Sequence, residues 1–164
     1  MSLCGCPVRH PDFRPNGLCY CILVTTLELL SHQFEDAGHQ VSQAIAGLDD
    51  PGMDHRPTPG GLTPRETLRH LAEAYVAFAK SCRGEKHEWG TYEVQDTSTE
   101  ALVAHWRRTR EDAVRLALEQ SEPANLLNAC AYIVAHDYYH VGQLVQTRLA
   151  YDPSWNSYAI YRFG

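Results

Sequence analysis

Apolar side chains recur at intervals of three and four residues along four segments of this chain, the spacing of helices with one buried face. In the last segment that face contains Leu126, Ile133 and Leu144. No segment has the alternation of apolar and polar residues that marks a half-buried strand. The pattern predicts an all-α four-helix bundle, with helices over Leu23–Gly47, Thr63–Cys82, Thr97–Gln120 and Pro123–Ala150.

Capping boxes mark the starts of the second and third helices. Thr63 is followed by Pro64, a residue favoured at the first helical position, and by Glu66 three residues later. Thr97 and Glu100 repeat the pairing of Thr with Glu. Long loops rich in proline, glycine and polar residues separate helices one and two, and helices two and three. The order and handedness of the bundle therefore stay open.

Two segments flank the predicted bundle. The first contains two C-x-C pairs, formed by Cys4, Cys6, Cys19 and Cys21. Paired cysteines in structural zinc sites usually have two to four residues between them. The segment is therefore either a small zinc site or an irregular extension with reduced thiols. The second is an aromatic tail that we expect to pack on the bundle or on a partner. The predicted organisation is extension, bundle and tail, over residues 1–22, 23–150 and 151–164.

Charge and hydropathy argue against a nucleic-acid-binding protein and against a membrane-spanning one. The 164 residues suit a single domain, and the formal net charge of −6 argues against a nucleic-acid partner. No apolar run approaches the roughly 20 residues of a membrane span. We recognise no signal peptide, so the expected location is the cytoplasm.

Two histidines interrupt the apolar face of the last helix. His136 and His140 are one turn apart, which places their Cβ atoms about 5–6 Å from each other. Both imidazoles can then bind one metal ion; the alternative is a pair of hydrogen-bonded core histidines. His70 lies at the edge of the buried face of helix two, beside Ala74 and Ala77, and offers a third ligand. Three imidazoles leave a fourth position open, as in catalytic zinc sites.

Several polar residues near these histidines are candidates for supporting roles. Glu73 and Asp137 carry carboxylates able to orient an imidazole, although Asp137 is expected to point away from the pocket. Gln143 shares the face of His136, and His105 of helix three is a candidate pocket residue. His87 lies in a loop and is expected to be exposed.

The segments Thr63–Glu73 and His136–Leu144 together resemble the DinB/YfiT-like family. The resemblance spans the bundle and implies a metal held by three histidines, which correspond to His70, His136 and His140. We expect the metal to be a divalent ion, zinc or nickel. The aromatic tail and the resemblance together favour a homodimer. Members of the family include thiol-dependent transferases and isomerases, proteins treated as metal hydrolases, and proteins of no known activity.

Three functions compete at this point. The leading hypothesis is a metal-dependent enzyme acting on a small molecule, as a transferase for a low-molecular-weight thiol or as a hydrolase. The second is a noncatalytic metal- or ligand-binding protein of a stress response. The third interprets the segment from His136 to His140 as a zinc-protease motif with Asp137 in place of the usual glutamate.

Overall fold

The structure is a computed structural model and describes residues 25–162; the four cysteines of the N-terminal extension lie outside the described residues. The described chain is all-helical and contains no strand, which confirms the predicted fold class. None of its helices is both long and apolar enough to cross a membrane. The elements are α1 (Thr26–Ile45), α2 (Asp50–Met53), α3 (Pro64–Cys82), α4 (Thr99–Leu118), α5 (Pro123–Ala129), a π-helical segment (Cys130–Ala135), α6 (His136–Tyr151) and a 3-10 turn (Ser157–Ile160).

The core lies between the four long helices. Helix α3 packs mainly along α4, and α1 packs mainly along α6. Each helix contributes large side chains that are almost completely buried, including Phe34, Tyr75, Phe78, Trp106 and Leu144. Burying one such apolar side chain contributes about 1.5–3 kcal/mol to the free energy of folding. The core therefore holds the helices that carry the candidate ligands, α3 and α6, at a defined separation.

One of the two predicted capping boxes is present. Thr63 and Glu66 exchange both hydrogen bonds of the box at the start of α3. The box predicted for Thr97 and Glu100 is wrong, because α4 begins after Ser98 and has no side-chain cap. The carbonyl of Thr97 instead accepts a hydrogen bond from Arg65 on α3. This contact ties the segment before α4 to α3, while the first turn of α4 has no side-chain cap.

The last predicted helix is interrupted by the π-helical segment, which ends directly before His136. A π turn contains an extra residue, so the positions that follow are rotated relative to those of an unbroken α-helix. The loop between the first two long helices also differs from the prediction, because it contains α2, whose Met53 is fully buried. In the tail, Ile160 is buried and Trp155 lies against Arg148, whereas Tyr158 is exposed.

Candidate metal centre

Three histidine side chains meet where α3 and α6 pack together. His70 and His136 are half-buried there, and His140 is buried. The Nε2 atom of His136 lies 3.0 Å from Nε2 of His70 and 3.1 Å from Nε2 of His140. One ring nitrogen from each histidine lies within 4.8 Å of the others. Nitrogen ligands about 2.1 Å from a tetrahedral metal are about 3.4 Å apart, so small side-chain rotations suffice to bind one ion.

Burial keeps two of these imidazoles neutral. It lowers the pKa of His136, and repulsion from His70 lowers it further. It also lowers the pKa of His140 to about 4, together with repulsion from His136 and His70 and against the opposing hydrogen bond of Gln143. Both rings therefore have an unprotonated nitrogen at neutral pH, which is the form that binds a metal.

The hydrogen bond between Gln143 and His140 determines which nitrogen that is. Oε1 of Gln143 lies 2.7 Å from Nδ1 of His140. An amide oxygen accepts hydrogen bonds and does not donate them, so Nδ1 carries the proton. The Nε2 atom of His140 then presents its lone pair to His136 and His70. This is the usual arrangement by which an outer residue orients a metal-binding imidazole.

A metal ion satisfies the three rings better than they satisfy one another. Nε2 of His136 is within hydrogen-bonding distance of both neighbours, but it carries either one proton or one lone pair. It can therefore complete a good hydrogen bond with only one of them. An unpaired buried nitrogen costs about 1–3 kcal/mol, whereas a cation accepts all three lone pairs. The donor set of three imidazoles suits zinc, nickel and related divalent ions.

Glu73, predicted to support a metal ligand, binds the loop between α3 and α4 instead. Its Oε1 accepts hydrogen bonds from Nε2 of His87 at 3.0 Å and from the backbone of Gly90 at 2.6 Å. The His87 side chain is only 6% exposed, so the expectation that it is solvated is wrong. Its Nδ1 atom is buried without a hydrogen-bond partner among the described residues. Glu73 therefore ties this loop to α3, one turn beyond His70.

Asp137 and His105 also lie outside the histidine cluster. Asp137 follows His136 directly but is fully buried and accepts hydrogen bonds from Tyr75 and Arg110. The Nε2 atom of His105 lies 2.5 Å from the hydroxyl of Tyr92. Neither side chain is hydrogen-bonded to a histidine of the centre. Three sequence candidates thus have structural partners elsewhere, and Gln143 alone among the supporting candidates contacts the cluster.

Sequence reasoning missed two aromatic residues beside the centre and a third that pairs with one of them. The ring centroid of Trp89 lies 6.3 Å from that of His70, and Tyr139 lies 4.9 Å from His140. Tyr132, in the π-helical segment, has its ring plane parallel to that of Trp89. Tyr139 directly precedes His140, so the sequence alone could have indicated that it lies near the site. For Trp89 the only indication in the sequence is that a large aromatic residue lies in an otherwise polar loop.

Comparison with models of protein families gives a match that includes this site. The sequence model of the DinB superfamily matches residues 33–144, a segment that contains all three histidines. Comparisons with curated proteins and with solved structures gave no match. The match covers well over half of the chain and most of the four long helices. The chain therefore belongs to the DinB superfamily.

Proposed function

We propose that this protein is a metal-dependent enzyme in which His70, His136 and His140 hold one divalent ion, zinc or nickel, and leave a position open for a small-molecule substrate. The observation that carries the proposal is the convergence of the three ring nitrogens within 4.8 Å. Membership in the DinB superfamily agrees with it. When bound, such an ion supplies a Lewis acid that activates a thiol, water or a carbonyl group.

The positions of the nearby carboxylates favour a thiol transferase over a hydrolase. Hydrolysis usually requires a general base that takes a proton from water. Glu73 is engaged with His87 and Gly90, and Asp137 is buried against Arg110. A thiol provides its own nucleophilic sulfur, which loses its proton more readily than water does. The described residues therefore suit a reaction in which the thiol releases its proton to solvent and its sulfur bonds to an electrophilic carbon, while the leaving group departs with the electron pair of the broken bond.

The zinc-protease hypothesis is not proposed further. A protease of that type needs the carboxylate between its two histidines to reach the water beside the metal. Asp137 occupies this position in the sequence but is 0% exposed and hydrogen-bonded within the core. The noncatalytic binding protein is the remaining alternative, since the same three histidines can retain a metal or ligand without catalysis.

Elemental analysis followed by a screen of thiol cosubstrates tests the proposal. The full chain is purified, its metal content is measured, and metal-loaded and chelator-treated samples are incubated with a low-molecular-weight thiol and 1-chloro-2,4-dinitrobenzene. Metal-dependent thiol consumption supports the transferase, and metal-dependent hydrolysis of 4-nitrophenyl acetate instead supports the hydrolase. Stoichiometric metal with neither activity supports the binding protein. A protein that retains no divalent metal under any loading condition contradicts the proposal.

We also propose that the protein is a homodimer. The aromatic tail offers a surface for a partner, and dimers are common in the family. Sedimentation at micromolar concentration measures it directly. A species with the mass of one chain would contradict it.

A further inference from the structure

Trp89 presents a large apolar surface next to the three-histidine centre. Its side chain is 51% exposed although it belongs to the loop that lies against α3. Its ring centroid is 6.3 Å from that of His70, with the planes tilted by 40°. An indole at this position is close enough for a molecule bound beside His70 to contact it.

The loop that carries Trp89 is held in place on both sides of this residue. Glu73 accepts a hydrogen bond from His87, two residues before Trp89, and another from the backbone of Gly90, directly after it. Gly90 has a φ of 80°, a conformation that other residues rarely adopt. The ring of His87 also meets that of Trp89 edge to face, with centroids 5.0 Å apart. The indole is therefore fixed before any ligand arrives, which lowers the entropy cost of binding.

A second aromatic ring lies beside the centre, and a third pairs with Trp89. Tyr139 is 63% exposed, and its ring lies 4.9 Å from that of His140. The ring of Tyr132 is parallel to that of Trp89 within 1°, with centroids 6.5 Å apart, the geometry of an offset aromatic pair. Exposed aromatic rings around a polar centre are typical of small-molecule sites, where apolar surfaces bind the ligand and few polar groups orient it.

Neither carboxylate close to the three histidines in the sequence is free to bind a substrate. The nearest carboxylates already have partners, Glu73 in the loop and Asp137 in the core. Beside the histidine rings, Trp89 and Tyr139 expose aromatic surfaces that can contact the part of a substrate extending from the metal position.

We infer that Trp89 and Tyr139 bind the planar part of the substrate, and that this substrate is an aromatic or conjugated small molecule whose polar group reaches the metal position. The inference rests on the proposed three-histidine metal site and adds the class of substrate. Ring stacking is the interaction that separates a planar group from a saturated one of similar size.

Three hydroxamates of graded shape test this inference on the zinc-loaded full chain. Acetohydroxamate, cyclohexanecarbohydroxamate and benzohydroxamate share the same metal-chelating group, so their differences in affinity report on the attached group. Isothermal titration calorimetry measures each Kd. We expect benzohydroxamate to bind about 3- to 10-fold more tightly than the cyclohexane compound, the factor that one aromatic contact supplies.

Matched variants assign the preference to named residues. Trp89→Ala and Tyr139→Ala should each reduce the preference for benzohydroxamate while acetohydroxamate affinity and zinc content stay unchanged. Trp89→Phe, which keeps an aromatic ring, should retain part of it. Tyr158→Ala removes an exposed tyrosine from the 3-10 turn and should change neither the affinities nor the zinc content.

The outcomes separate the two proposals. If zinc is bound and all three hydroxamates have the same Kd, the metal site stands and the inference about the substrate is wrong. It is also wrong if benzohydroxamate keeps its preference in Trp89→Ala and Tyr139→Ala. If the protein binds neither zinc nor nickel, the proposed function fails and this inference fails with it.

Discussion

Arg110 donates a hydrogen bond to Asp137 across the interior of the bundle, with 2.9 Å between Nε and Oδ2. The same carboxylate accepts a hydrogen bond from the Tyr75 hydroxyl, and Arg110 also donates to the carbonyl of Phe34. One buried ion pair therefore connects α6, α4, α3 and α1. Because Asp137 is adjacent to His136, this connection also determines how α6 is rotated and which way His136 faces.

Removing the carboxylate should destabilise the fold. In Asp137→Asn the side chain keeps its shape, but the guanidinium of Arg110 loses its counter-charge inside the protein. Breaking a buried ion pair in this way costs about 3–5 kcal/mol, so we expect the free energy of unfolding to fall by that amount. Urea denaturation followed by circular dichroism measures the change.

The control for this substitution is Asp112→Asn, which removes an exposed ion pair with Arg115. Exposed pairs contribute about 0–1 kcal/mol, so this variant should unfold almost as the parent does. Equal effects from the two substitutions would contradict a structural role for the buried pair.

Metal content should depend on the three histidines individually. His136→Ala and His140→Ala each remove one of the converging nitrogens, and His70→Ala removes the ligand from α3. We expect stoichiometric metal to be lost in all three variants. His39→Ala, on α1, should keep its metal. Elemental analysis after dialysis measures the content, and unchanged metal in His136→Ala would rule out the site as described.

Gln143 should tune the affinity for metal without affecting the fold. Its amide oxygen orients His140 through a bond of 2.7 Å. Loss of such an outer contact typically weakens metal binding about 10- to 100-fold, and we expect this for Gln143→Ala. A competition titration with a zinc-binding dye measures the affinity. Gln146→Ala, at another exposed position of α6, is the control, and an equal loss there would refute the specific role of Gln143.

Two helical glycines should respond in opposite directions to alanine. A Cβ added at Gly38 of α1 would overlap the guanidinium of Arg110, so Gly38→Ala should destabilise the protein by about 1–3 kcal/mol. A Cβ added at Gly142 meets nothing within 4 Å, so Gly142→Ala should stabilise α6 by about 0.5–1 kcal/mol. Thermal unfolding compares both with the parent chain. A stabilised Gly38→Ala variant would mean that the guanidinium does not occupy this position.

The sequence by itself determined the features that depend on a few neighbouring residues. The three–four spacing of apolar residues predicted the four long helices, and the pairing of Thr63 with Glu66 predicted the start of α3. The spacing of His136 and His140 placed their side chains on one face, since four residues make about one helical turn. Each of these features is set by backbone geometry within one or two turns.

Only the tertiary structure decided the partners of the polar side chains. His70 meets His136 across 66 positions of the chain, and Glu73 binds a loop that follows α3. Asp137 points away from the pocket, as expected, but only the structure shows that it lies in the core beside Arg110. The orientation of a buried carboxylate depends on which hydrogen-bond donors lie near it. Those donors come from distant parts of the chain whose positions are set by the packing of whole helices, which no local pattern records.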